Sequence, residues 1–198
     1  MFNKAMTRKQ LDTFLANQKP SIVAVEACGG AQYWVRKVQK LGHIAKILPL
    51  RQVAAIRQGQ KTDVSDALAI AITARQPGLK TSGIKTLDQQ SLQSDKRVQE
   101  HLSDQLTATG NMLRGLVAKF GVTIRKGKSA LRKNLPLILE DAENGLPLGM
   151  RVSLYLAWQL WQIQEELLRK SETILDQRSK QNEHLFWLNR TGYINERQ

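Results

Sequence analysis

The 198-residue sequence has one cysteine, Cys28, and three histidines, His43, His101 and His184. A single cysteine excludes an internal disulfide and a cysteine-based zinc cluster, and the histidines are too scattered for a metal-binding motif. No apolar run reaches the roughly 18 residues of a membrane span, and the first ten residues lack the apolar core of a signal peptide. We therefore expect a cytoplasmic protein that binds any metal through oxygen ligands.

Acidic residues are also scarce. The chain has 17 Asp and Glu but 30 Lys and Arg, which gives a net charge of +13 and a pI near 10.1. This excess predicts attraction to a polyanion, with nucleic acid the foremost partner and a binding constant that falls with salt. The alternative is a solvated basic surface with no dedicated partner. Hydrophobic residues make up 41% of the chain, which is enough for a packed core.

The N-terminal part predicts an α/β fold. A helix capped by Thr7 and extending to about Gln18 precedes a short apolar strand at 22–25. The turn Gly29-Gly30 leads into a second helix that ends at Gly42, and a buried strand follows at 44–48. This strand, helix, strand order predicts parallel pairing with a right-handed crossover. Further helices are expected at 50–58 and from Asp63, separated by a break at 59–61, and the α/β region ends near residue 85.

The remainder predicts two long helices, one from Leu87 to about Phe120 and one over about 150–177, joined as an antiparallel hairpin that another subunit completes. Gly121 stands where a helix-terminating glycine belongs. In the second helix Trp158 and Trp161 are expected in the core, beside an apolar stripe that is also expected to face the core. That stripe consists of Val152, Leu156, Leu160, Ile163, Leu167 and Ile174.

Three acids are candidate metal ligands: Glu26 at the end of the first strand, and Asp63 and Asp66 at a helix start. An ionised acid on a buried strand is costly unless it is paired, exposed in a cleft or bound to a cation. Convergence of the three would hold Mg²⁺ for phosphodiester cleavage. The alternative for Asp63 and Asp66 is structural, with Asp63 as the helix N-cap and Asp66 complementing the helix dipole.

Basic residues near these acids and in the connector between the long helices are candidates for phosphate binding, although a plain solvated loop explains the connector equally well. The candidates are Arg51, Arg57, Lys61, Arg125, Lys126, Lys128, Arg132 and Lys133.

Several segments together resemble the DEDD-type transposases of the insertion-sequence one-ten family, particularly its eleven-eleven subgroup. The matching segments occur in family order at 25–31, 33–34, 41–43, 61–63 with 66–67, 111–116 with 120–121, and 139–147. The resemblance implies an RNase H-like domain of the Holliday-junction-resolvase type whose four acids bind Mg²⁺, then a coiled coil and a domain with a serine nucleophile. Glu26, Asp63 and Asp66 match the second, third and fourth acids.

The resemblance also implies a DNA recombinase, in some members directed by a structured guide RNA. By that pattern residues 1–85 form an incomplete RNase H-like domain, 86–183 the helical hairpin or coiled coil, and 184–198 a tail outside the family pattern. No strand carrying the first acid precedes Thr7, Asp12 is no substitute, and no serine matches the nucleophile. We therefore expect a transposase truncated at both ends and inactive alone, or alternatively a non-catalytic basic module that binds nucleic acid or oligomerises.

Overall fold

The structure, a computed structural model, describes residues 4–57 and 62–180. The chain divides into two compact units, Met1–Thr86 and Leu87–Gln198. The first is α/β and the second is helical, which confirms the predicted order. The predicted break at 59–61 and the predicted tail at 184–198 lie outside the described residues. None of the described helices is both long enough and apolar enough to cross a membrane.

The first unit contains a two-stranded parallel sheet, formed by β1 (Ile22–Glu26) and β2 (Ile44–Leu48) in register along their whole length. α2 (Ala31–Lys40) connects the strands as predicted, and Gly42 with φ of 83° ends it, since only glycine adopts this left-handed conformation without strain. Within the described residues β1 pairs with β2 alone, and the far side of β2 makes one antiparallel bridge to Ser82.

Helices cover both faces of this sheet. Successive residues of a strand point to opposite faces, so neighbouring residues of β2 contact different helices. Ile47 faces α2, whereas Leu48 faces α3 (Leu50–Ile56) and α4 (Asp63–Thr73). The buried residues on the α2 side are Ala31, Val35 and Ile47, and those on the other side are Leu48, Val53, Ala69 and Ala74.

α1 (Arg8–Ala16) begins where the sequence predicts. The Thr7 side chain accepts from the Gln10 backbone N–H while the Gln10 side chain accepts from the Thr7 N–H, so both free N–H groups are satisfied. The helix ends two residues before the predicted Gln18.

The described part of the second unit consists of three helices: α5 (Leu87–Ala118), α6 (Lys128–Glu140) and α7 (Leu148–Lys180). Leu92 near the start of α5 packs with Leu175 near the end of α7, and Gly110 further along α5 lies against Trp161 nearer the start of α7. The two long helices are therefore antiparallel, as predicted. Their connector contains α6, which the sequence analysis did not assign as a helix.

Most of the buried residues described in this unit belong to one cluster, to which all three helices contribute. Trp158 and Trp161 are buried, as predicted, with their rings stacked at 5.1 Å between centroids. The other buried members are Leu106, Leu113, Val117, Leu131, Leu135, Leu146, Leu154 and Leu168.

The prediction of which α7 face enters the core is wrong. Val152, Leu156, Leu160, Ile163, Leu167 and Ile174 are all exposed. The helix instead packs through Leu154, Trp158, Trp161, Leu168 and Leu175, which lie on its opposite side. α7 therefore carries two apolar faces, and helical periodicity alone does not tell which of them meets the rest of the unit.

Candidate functional site

Glu26 is the last residue of β1 and lies beside Leu48 in the sheet register. The N–H of the following residue, Ala27, still donates to the Leu48 carbonyl at 3.0 Å, so the chain leaves the sheet just after the acid. The side chain is partly buried at the carboxyl end of the strand, which is where ligands collect in open α/β sheets.

Asp63 and Asp66 lie in the first turn of α4, but neither is the N-cap. Thr62 caps the helix: its side chain accepts from the Ser65 backbone N–H at 3.2 Å, and the Ser65 hydroxyl accepts from the Thr62 N–H at 3.0 Å. The alternative in which Asp63 caps the helix is therefore wrong, because a threonine one residue earlier does so. Asp63 is exposed.

Asp66 forms an ion pair with Arg57. The Arg57 Nη1 donates to its Oδ1 at 2.7 Å, and both side chains are about three-quarters buried. Arg57 was predicted to bind nucleic acid, and Asp66 to bind metal. In the structure each neutralises the other's charge, and both predicted roles stay predictions.

The described residues do not show the expected convergence of Glu26, Asp63 and Asp66. Across residues 4–57 and 62–180, no group of three His, Cys, Asp or Glu side chains is placed to hold a metal ion. The residues therefore do not fit Mg²⁺ as they stand, since a magnesium site needs oxygen ligands gathered within about 2.1 Å of one ion. The metal-binding role of the three acids stays a prediction.

The first unit contains two further candidates for phosphate binding, Arg51 and Lys61. Arg51 is exposed on α3 and free to meet a ligand in solvent. Lys61 lies outside the described residues.

The basic connector forms the turn into α6 and the first turns of that helix. We call residues 125–133 the basic elbow. Arg114 of α5 organises it by donating from Nε to the Arg125 carbonyl at 3.3 Å and from Nη2 to the Gly127 carbonyl at 2.6 Å. Gly127, with φ of 111°, precedes the helix. Hydrogen bonds from Arg114 thus fix the backbone of the elbow. Its exposed basic side chains are Arg125, Lys126, Lys128, Arg132 and Lys133.

Arg132 is the one elbow candidate with a carboxylate partner in the described structure. Its Nε donates to Glu165 Oε2 at 3.2 Å and its Nη2 to Oε1, a two-point contact. The hydrogen bonds to Glu165 raise the pKa of Arg132. Because Glu165 offsets its charge, Arg132 is a weaker phosphate ligand than the lysines beside it.

Sequence comparison decides the family. A profile of the IS110-type DEDD transposases, described simply as transposase, matches residues 2–121, more than half of the chain. The chain belongs to the IS110 transposase family. The predicted resemblance is thereby confirmed, while no solved structure matches the chain, so the RNase H-like assignment stays a prediction.

Individual relatives of this IS110-family protein are bacterial. It is 34% identical over 148 residues to a probable family 20 transposase of Pseudomonas aeruginosa, covering 74% of this chain and 44% of the relative. It is 30% identical over 176 residues to the transposase of element IS1111A from Coxiella burnetii, covering 89% and 47%. A third, from element IS1328 of Yersinia enterocolitica, is 30% identical over 143 residues, covering 72% and 42%. The chain spans less than half the length of these curated relatives.

Two arginines donate hydrogen bonds to backbone carbonyls in contacts that the sequence did not predict. Arg114 holds the basic elbow, and Arg151 binds the carbonyls at the end of α6. Both stand in or near segments that match the family, at 111–116 and 139–147, but their partners are backbone atoms. A carbonyl acceptor leaves no mark in the sequence, so only the structure identifies these contacts.

Proposed function

We propose that this chain binds DNA as part of an IS110-family transposase and that it does not cut DNA by itself. Family membership supports the DNA partner. The proposal that the chain does not cut DNA by itself rests on the ion pair between Asp66 and Arg57 and on the predicted acids not being gathered in the described structure. The proposal places the protein in the cytoplasm of a bacterium, as a homo-oligomer built through its helical unit, with a structured guide RNA as a second nucleic-acid partner.

Binding is attributed to the net charge of +13 and to the exposed lysines of the basic elbow. Lysine ammonium groups near phosphates release counterions from DNA, which makes affinity steeply salt-dependent. The backbone of the elbow is held by Arg114, so its lysines project from a defined turn and lose little backbone freedom on binding.

A mobility-shift titration tests this assignment. We expect the triple variant Lys126→Gln, Lys128→Gln, Lys133→Gln to reduce the slope of log K against log salt by about 2.7, since each phosphate contact contributes about 0.9. The matched control removes three exposed lysines elsewhere, Lys9→Gln, Lys40→Gln and Lys80→Gln, and keeps the net charge equal to that of the first variant. Equal slopes for the two variants would show that the elbow has no special role. A parallel titration with structured RNA tests the guide-RNA assignment.

Cleavage is tested with supercoiled plasmid and Mg²⁺. We expect no conversion to nicked circles by the wild-type chain. Nicking that is present in the wild type and lost in Glu26→Gln and Asp63→Asn would overturn the non-catalytic half of the proposal and restore the prediction that these acids bind metal.

A second candidate function is DNA strand cleavage within a larger assembly. The observation that favours it is the exposure of Asp63 in a helix turn already capped by Thr62 and Ser65, which leaves this carboxylate without a capping role. On this proposal the acids gather, and Mg²⁺ binds, only when further protein is present. Mixing the chain with a full-length family transposase tests it, because cleavage should then depend on Asp63 of this chain.

A further inference from the structure

The outward side of α2 carries an aromatic ring that the core does not use. Ala31, Val35 and Val38 are the buried residues of this helix, whereas Tyr33 lies on the opposite side with 51% of its surface exposed. The two clusters of buried residues in the described part of the first unit include neither Tyr33 nor its neighbour Trp34. Packing against the sheet therefore does not account for the ring of Tyr33.

The rings of Tyr33 and Trp34 form a defined pair with a cation beside it. Their planes stand at 82° to each other with 5.4 Å between centroids, which is an edge-to-face contact. The Lys37 Nζ lies 5.8 Å from the centroid of each ring, within the range of a cation–π contact. We call Tyr33, Trp34 and Lys37 the aromatic platform.

An ion pair between two helices fixes the cation of the aromatic platform. The Lys37 ammonium group donates to Oδ2 of Asp12 on α1. The pKa of Lys37 is raised, chiefly by this hydrogen bond to Asp12, and a hydrogen bond to Tyr33 adds to the shift. Lys37 therefore stays charged, and Tyr33 keeps a fixed neighbour on its own helix. A ring that is already positioned loses little freedom when a flat ligand binds to it.

The charge of the first unit fits a polyanion. Its described residues, 4–57 and 62–86, contain 13 Lys and Arg and four Asp and Glu, a net charge of +9. Residues 87–180 contain 14 Lys and Arg and 11 Asp and Glu, a net charge of +3. Two of the four acids in the first unit, Asp12 and Asp66, are already paired with cations. Most of the positive excess therefore belongs to the unit that carries the aromatic platform, where it attracts nucleic acid.

An exposed ring in a basic unit is suited to an unpaired base. Bases inside a duplex stack on one another, so only an unpaired base offers its flat face to a tyrosine ring. RNA presents such bases in loops and bulges. Arg8 is exposed and lies one helical turn before Asp12 on the same side of α1, where it can contact a flanking phosphate.

We propose that the aromatic platform binds an unpaired base of a structured RNA by stacking it on the ring of Tyr33. The inference rests on the guide-RNA part of the proposed function and names a binding site for that partner. It uses neither the basic elbow nor the three candidate metal-binding acids.

A filter-binding titration with an RNA hairpin that has an unpaired loop tests the contact. We expect Tyr33→Ala to weaken binding by at least about 5-fold, the loss of one base stack. The slope of log K against log salt should not change, since a neutral ring releases no counterions. Tyr33→Phe keeps the ring and should restore most of the affinity. The matched control is Tyr155→Ala on α7, which removes a tyrosine of 53% exposure and should have no effect.

A fully paired RNA duplex tests whether the base must be unpaired. Tyr33→Ala should bind the duplex as tightly as the wild type does, and circular dichroism verifies that the variant keeps its helices. An equal loss for hairpin and duplex, or no loss for the hairpin, overturns the proposal. A larger loss with single-stranded DNA of the loop sequence than with the RNA hairpin would overturn the assignment to RNA.

Photo-cross-linking locates the contact in the wild-type chain and so does not depend on a variant that folds. Iodouridine is placed at each loop position of the hairpin in turn, and the cross-linked residue is identified by mass spectrometry. We expect at least one position to cross-link to Tyr33 or Trp34. Cross-links that are confined to other residues overturn the assigned site.

The outcomes separate this inference from the proposed function. If the wild type and Tyr33→Ala bind the hairpin equally, the aromatic platform is removed and the proposed RNA partner stays. If the wild type binds no RNA, both are removed, while the DNA part of the proposed function is judged by the mobility shift of duplex DNA alone.

Discussion

Arg57 and Asp66 form a hydrogen-bonded ion pair, with 2.7 Å between Nη1 and Oδ1, that joins the residue after α3 to the first turn of α4. The contact is a charge-assisted hydrogen bond between largely buried groups, which is among the stronger polar contacts in proteins. It helps to hold α3 and α4 together on the sheet face where Leu48 is buried. The pair thus has a structural role that competes with both functions predicted for its members.

Arg57→Gln should lower the free energy of unfolding by about 1 kcal/mol, because it leaves Asp66 without its cationic partner. Urea denaturation measures the change. The control is Arg51→Gln, an exposed arginine on the preceding helix, which should change stability by less than about 0.5 kcal/mol. In a double-mutant cycle with Asp66→Asn the two losses should not add, and full additivity would show that the pair contributes nothing.

Gly110 and Gly115 of α5 should respond in opposite directions to substitution by alanine. A Cβ on Gly110 would lie 3.1 Å from Nε1 of Trp161, a buried ring that is stacked on Trp158. We expect Gly110→Ala to destabilise by about 1 kcal/mol through overpacking.

Gly115 is the matched control, since a Cβ there meets nothing within 4 Å. Gly115→Ala should stabilise the protein by about 0.5–1 kcal/mol, the gain in helix propensity. Thermal denaturation of both variants provides the comparison. An equal gain at both positions would mean that α5 and α7 do not approach as closely as the structure indicates.

His43 connects α1 to β1 through both ring nitrogens. Its Nδ1 accepts from the Ser21 N–H at 3.2 Å, so we assign the proton to Nε2, which lies 2.9 Å from the Leu15 carbonyl. His43→Phe keeps a ring but leaves both backbone groups unpaired, and should cost about 2 kcal/mol. His101→Phe, at an exposed position on α5, should have little effect on unfolding by urea. Similar effects of the two substitutions would remove this role for His43.

Arg151 of α7 holds the end of α6 and the loop after it. It donates to the carbonyls of Leu139 at 2.9 Å and Leu146 at 3.1 Å, and to Asn144 Oδ1 at 2.6 Å. A lysine ammonium cannot reproduce this planar set of donors. Arg151→Lys should therefore destabilise by about 1–3 kcal/mol in thermal unfolding, whereas Arg97→Lys on the exposed surface of α5 should be nearly neutral. A neutral Arg151→Lys would contradict the assigned contacts.

Local signals account for the elements that were predicted correctly. The apolar runs at 22–25 and 44–48 and the left-handed Gly42 suffice to define β1, α2 and β2. Gly121, with φ of 79°, likewise follows the end of α5 near the predicted position. In each case the determining interaction lies within a few residues along the chain, so the residue types report it directly.

Predictions from the sequence fail where two neighbouring residues suit the same structural role equally well. Thr62 and Asp63 are both suitable N-caps for α4, and Thr62 was selected because Ser65 completes its capping box. For the candidate site, the sequence identified the acids and basic residues by type, but the pairing of Arg57 with Asp66 joins side chains nine residues apart in the sequence, and residue types do not specify such a contact.

By itself the sequence determined the family, the strand and helix order of the first unit, the two long helices of the second and the basic excess of the whole chain. Only the tertiary structure decided which apolar face of α7 is buried, which acid is already paired and which turn the elbow adopts. The physical reason is that periodicity and charge report what a segment can bury or bind, whereas packing against distant residues selects one of those possibilities.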